Sequence, residues 1–189
     1  MKRWVLVPVV LIGAVSLALS IGLPRSRGAE VGDLDPPRIL AFDTMYGVEG
    51  PLLGEANSIR GVAGDELPWA IAHFIKGSLD KNGRLKVLVR GLVFADDPSV
   101  PPELVGKNDE SRFRGVVSCL TEDGQGGIVT ANVTTGGSPA TSSGDSLIDE
   151  TLDLPNPCIA PIVFVIAGSE DKWFAVTGFE SESSTERHR

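Results

Sequence analysis

Catalytic signatures are what this sequence lacks. Histidine occurs twice and cysteine twice in 189 residues. No G-x-S-x-G nucleophile elbow exists, since Ser138 stands in GGSPA and Ser169 in AGSED. No Walker A loop and no H-E-x-x-H pair is present, which argues against P-loop phosphate binding and zincin-type hydrolysis. The two Cys and two His do not fall at zinc-ligand spacing. GQGGIV (124–129) lacks the third glycine of a dinucleotide loop and joins two strand-like segments, so it reads as a turn. DKNG (80–83) begins like a calcium loop but has no closing bidentate acid, and reads as a hairpin turn. No cofactor is expected.

Positive charge is also scarce. The 17 basic residues fall to 13 without Lys2, Arg3, Arg25 and Arg27, against 25 acidic residues that all follow position 29, a balance of −12. A body of that sign repels phosphate backbones and argues against nucleic acid as a partner.

What is present begins with export. A basic head, MKR, precedes WVLVPVVLIGAVSLALSIGL (4–23), which carries no charge. Such a run is an N-terminal hydrophobic export helix, either a cleaved signal or an uncleaved anchor. Ala18 and Ser20 are small and suitably spaced for cleavage after Ser20, the preferred reading. Under both readings the body is secreted or otherwise extracytoplasmic, and residues 4–23 are its expected membrane contact. Residues 1–28 are therefore set apart as signal or anchor. Residues 29–65, rich in Gly, Pro and acids, read as a linker or wrapping segment around one apolar island, RILAFDTMYGV (38–48), that could form a short strand. Residues 180–189 are polar and read as a disordered tail.

Between them, 66–179 alternate strand and turn signals at short spacing. Strands are expected in PWAIAHFIKGSLD and RLKVLVRGLVF, then at 113–121, 128–135, 146–153, 159–167 and 173–179. About seven strands in that length predict an all-β, antiparallel, immunoglobulin-like sandwich. For the first hairpin, a three-residue loop Lys81-Asn82-Gly83 pairs Leu79 with Leu85, Ile75 with Val89 and Ile71 with Val93. That register gives one clean apolar face, whereas a two-residue Asn82-Gly83 turn mixes apolar and charged residues. The three-residue loop needs positive φ at its last position, which Gly83 supplies. Residues 95–111, with three prolines, are the natural crossing from one sheet to the other.

Cys119 and Cys158 are the only cysteines in a chain read as exported. An oxidising compartment makes their pairing as a structural disulfide the expectation. The flanks of Cys119, apolar on one side and acidic on the other, raise a thiol pKa and argue against a reactive nucleophile. His73 is expected on the apolar face of its strand opposite Gly91, buried and hydrogen-bonded rather than catalytic. His188 lies in the tail. Asp96, Asp97, Glu103, Asp109 and Glu110 form an acidic loop cluster that a calcium ion could fit, with a solvated loop preferred. Trp69, Trp173, Phe174 and Phe179 are expected to pack the core and cover an edge. Asn132-Val133-Thr134 is a formal glycosylation sequon, discounted beside a bacterial-looking signal.

The segments LPWAI, VRGLVFADDP, FRGVVSCLTEDG, NPCIAPIVFV and WFAVTG resemble a group of uncharacterised exported bacterial proteins, over roughly residues 38–179. The resemblance implies export; it assigns no activity and carries over no site residues. A non-enzymatic module with an unidentified cell-surface or extracellular partner is the expected function. A carboxylate hydrolase using Asp96, Asp97 or Glu122 is one alternative, and a small-ligand carrier is another.

Overall fold

A computed structural model describes residues 36–179. The described chain is all-β. It forms strands β1 (Arg38–Phe42), β2 (Tyr46–Gly47), β3 (Ala63–Gly64), β4 (Trp69–Asp80), β5 (Arg84–Phe94), β6 (Arg112–Glu122), β7 (Ile128–Thr134), β8 (Ser138–Pro139), β9 (Ser146–Thr151), β10 (Ile159–Ala167) and β11 (Lys172–Val176). A short 3-10 turn at Gly50–Leu52 interrupts them. The smaller sheet runs β1-β4-β5-β9 and the larger β2-β11-β10-β6-β7, with β8 beside β6 and β3 beside β11. Every pairing is antiparallel except the short β3–β11 pair.

The seven expected strands correspond to β4, β5, β6, β7, β9, β10 and β11. The connection 95–111 carries the chain from β5 in the smaller sheet to β6 in the larger. It is tied back by Phe94 N–H to Lys107 O, 2.9 Å, and Gly106 N–H to Phe94 O, 3.0 Å. Alternate side chains of both sheets meet in one core. Leu79, Leu85, Val87, Val89 and Ile148 come from the smaller sheet, and Phe113, Val117, Cys119, Val163 and Val165 from the larger. At Gly115 the sheets approach so closely that a Cβ would lie 2.7 Å from Leu85 Cδ2.

The hairpin follows the predicted loop. Gly83 has φ +81°, Asp80 O accepts from its N–H at 3.0 Å, and Leu79 pairs with Leu85 and Ile75 with Val89. Beyond that the register corrects the expectation, because β4 has a bulge between Ile71 and Phe74. Ala72 and His73 together oppose Gly91, whose φ is +74°, so Ile71 faces Leu92 instead of Val93. The bulge also turns His73 out of the apolar face, and it is exposed.

Where it is described, the segment 29–65 adds strands to both sheets: β1, within the apolar island 38–48, extends the smaller sheet, and β2 and β3 extend the larger. Met45, Val48 and Val62 are core residues. Residues 48–62 lie across the outer face of the larger sheet, where Val116, Ser118, Phe164, Ile166 and Trp173 are all buried. Arg60, with φ +50°, and Gly61, with φ +79°, make a two-residue turn closed by reciprocal Ile59–Val62 backbone bonds of 3.0 Å. The turn is pinned to the sheet: Arg60 Nη1 donates to Ser118 O at 2.9 Å and Asn132 Nδ2 donates to Arg60 O at 3.0 Å. The expected export helix at 1–28 and the tail 180–189 lie outside the described residues. Among the described residues no helix is long and apolar enough to cross a membrane.

Candidate functional site

The strand ends place a concave acidic site over an aromatic floor. Trp69 opens β4, Phe94 closes β5 and Phe174 sits in β11. The Trp69 and Phe174 rings stack at 3.8 Å with 19° between planes, and Phe94 lies 4.2 Å from Trp69. A pocket of about 220 Å³ opens beside them, lined by Asp65, Glu66, Leu67, Leu104, Asp109, Glu110 and Glu170 with these aromatics.

Four of the five carboxylates that line it have a protein partner. Asp65 is buried and its Oδ2 accepts from Trp69 Nε1 at 2.6 Å. Burial pushes its carboxyl above the ordinary value, against the lowering effect of the indole N–H. Lys172 reaches Glu66 and also Glu170, 3.1 Å away. The hydrogen bond from Lys172 holds the Glu66 carboxyl below its ordinary value. The same contacts raise the ammonium well above its own. Ser169 Oγ donates to Glu110 Oε1.

Asp65, Glu66 and Glu170 could hold a cation, their carboxylate oxygens lying within 4.8 Å of one another. Glu66 and Glu170 already hold the Lys172 ammonium, and Asp65 accepts from Trp69. The acids expected to cluster in 95–111 divide instead. Asp109 and Glu110 join this pocket, whereas Asp96, Asp97 and Glu103 are exposed and do not line it. Asp97 Oδ1 caps the loop by accepting from Ser99 N–H at 2.8 Å and Ser99 Oγ at 2.6 Å, and these bonds lower its pKa. Glu122 is exposed at the end of β6. The three acids named for the hydrolase are therefore not brought into the pocket, while Asp65, Glu66 and Glu170 were missed. The acid pair before Trp69 in DELPW was their one local signal; the approach of Glu170 depends on β11 lying beside β3.

Both turns keep their carboxylates occupied. Asp80 Oδ1 accepts from the N–H groups of Asn82 and Arg84, and Asp123 Oδ1 from those of Gln125 and Gly127. Trp69, Trp173 and Phe174 are core residues, but Phe179 is largely exposed. Asn132 is exposed on β7. Ser138 opens β8, and His188 lies outside the described residues.

Cys119 and Cys158 form a disulfide, Cα–Cα 5.0 Å, joining β6 to the residue that precedes β10. Closing a 39-residue separation removes roughly 4 kcal/mol of unfolded-chain entropy. The bridge suggests an oxidising, extracytoplasmic environment. Comparison with family models, with curated proteins and with solved structures finds no match.

Proposed function

We propose that this chain is a non-enzymatic, extracytoplasmic β-sandwich module of immunoglobulin-like topology, delivered by residues 4–23 and serving a binding or structural role. The strand order supports the fold reading. Of the seven expected strands, the first, second and fifth share one sheet and the other four share the second. One observation carries the functional reading: of the five pocket acids, Asp65, Glu66, Glu110 and Glu170 are each engaged by a protein donor, and the fifth, Asp109, is exposed. A general acid or base needs a carboxylate open to substrate.

The hydrolase reading keeps one supporting observation, a buried Asp65 with a raised pKa beside other acids in a concavity. Turnover assays on peptide, ester, glycoside and phosphoester substrates separate the two. The module reading expects none. Turnover abolished by Asp65→Asn or Glu110→Gln would overturn it. The intact mass of protein from its host distinguishes a released chain, shorter by about 20 residues if cleaved as signal peptides are, from an anchored full-length one.

A further inference from the structure

The two sheets treat their outer faces differently. Residues 48–62 cover the larger sheet, but among the described residues no segment covers the outer face of the smaller sheet. Phe74 and Leu147 are 41% and 50% exposed there. Across the strands Phe74 pairs with Arg90, Lys76 with Leu88, and Leu88 with Leu147. Ser78 pairs with Lys86, and Lys86 with Asp149.

Five of the 17 basic residues of this acidic protein lie on that face. Arg38, Lys76, Arg84, Lys86 and Arg90 lie on it against three carboxylates, Asp80, Asp145 and Asp149, in a chain of net charge −8. Asp80 Oδ1 accepts from two backbone N–H groups of its own turn. Asp149 pairs with Arg84 at 2.9 Å and with Lys86 at 4.0 Å, and Asp145 with Arg90 at 3.9 Å. Among the described residues no carboxylate lies within 4.0 Å of Lys76 or Arg38. Alternation along β5 sets Arg84, Lys86, Leu88 and Arg90 at intervals of about 7 Å. At one end Arg38, Ser78, Asn82, Arg84, Lys86 and Thr151 line an open cleft of about 460 Å³.

We propose that this face binds an anionic polysaccharide. Ammonium and guanidinium groups at regular spacing match repeated carboxylates. The hydroxyls of Ser78 and Thr151 and the amide of Asn82 match sugar hydroxyls, and Phe74, Leu88 and Leu147 offer apolar surface to the faces of sugar rings. A sheet face suits an extended polymer, and the net negative charge of the remaining chain disfavours the ligand elsewhere. The proposal deepens the binding-module reading and rests on it.

The test is retention of the full-length protein on immobilised polygalacturonate, with neutral dextran and phosphatidylglycerol vesicles as rival probes. Retention on polygalacturonate alone, weakening with salt, is the expected result. The double variant Lys76→Glu/Lys86→Glu should lower affinity at least about tenfold with its unfolding midpoint kept. Should that variant misfold, Lys76→Gln/Lys86→Gln serves, with a smaller loss in the same direction. Unchanged affinity in a folded variant, equal retention on dextran, or capture by vesicles without capture by polygalacturonate would overturn the surface assignment. Shortening of the polymer, followed by new reducing ends, would instead overturn the non-enzymatic reading beneath it.

Discussion

Trp69 donates its indole N–H to Asp65 Oδ2 across 2.6 Å, and both residues are buried. The bond fixes the corner where the covering segment enters β4. Asp65 N–H donates to Trp173 O at 3.1 Å and Asp65 O accepts from Gly54 N–H at 2.9 Å, so one residue ties three parts of the chain. Trp69→Phe keeps the ring and removes the donor. It should destabilise the protein by about 1.5–3 kcal/mol, the range for a hydrogen bond to a charged group. Urea unfolding at neutral pH measures it, and no loss would show that solvent replaces the indole.

Asp65 also sets a pH dependence of unusual sign. Its folded pKa is raised above 3.8, chiefly by burial, so the folded state holds the proton more tightly than the unfolded state. The favourable contribution is complete below 3.8 and is lost as pH rises through the folded value. At neutral pH the buried charge opposes folding. Asp65→Asn keeps an acceptor for Trp69 and removes that charge. The variant should gain stability relative to wild type at pH 7 and lose that advantage near pH 3.5. Denaturant midpoints at the two pH values decide it; an advantage that is the same at both would exclude burial of the charge as its source.

The Lys172 contacts with Glu66 and Glu170 titrate the other way. Glu66 is depressed below 4.5, so its contribution is present above that value and lost as pH falls through the depressed one. Lys172 is raised above 10.5, so its contribution persists below 10.5 and is lost at higher pH. Glu66 is 58% exposed, and such pairs contribute about 1 kcal/mol or less. Lys172→Met should therefore cost no more than about 1 kcal/mol at pH 7, shrinking in high salt. A loss of several kcal/mol, insensitive to salt, would mean that the lysine stem packs more than it pairs.

The disulfide is the largest single staple. Cys119→Ala should destabilise the protein by about 2–5 kcal/mol. Melting points that coincide with and without reductant, when reduction is verified by alkylation, would contradict a stabilising bridge.

Gly83 is held by more than its φ of +81°. A Cβ there would lie 2.1 Å from Leu152 O, and its own carbonyl accepts from Leu152 N–H at 2.9 Å. Gly83→Ala should cost more than about 1 kcal/mol, beyond left-handed strain alone. Thermal unfolding against a control substitution at exposed Asn82 tests it.

Much of this structure is local in origin and was legible in the residues. Apolar alternation around Lys81-Asn82-Gly83 selects the three-residue loop, because the rival register places Lys86 opposite Leu79 on the buried face. Long strands separated by glycine-rich turns specify an all-β chain, and two cysteines in a chain whose first residues read as an export signal predict their pairing. Other features needed contacts far apart in sequence. The bulge at Ala72–His73 leaves no mark in the period-two pattern until Gly91 faces it, and only then does His73 turn outward. The segment 48–62 is polar and glycine-rich, yet the larger sheet buries Val48 and Val62, since its own outer face carries Phe164, Ile166 and Trp173. Likewise Glu170 meets Glu66 and Asp65 because β11 pairs with β3. The sequence by itself determined the seven main strands, their turns and the bridge, because these follow from residue type and spacing. Tertiary structure alone decided which acids converge and which sheet face the described residues leave uncovered, because both depend on which strands become neighbours.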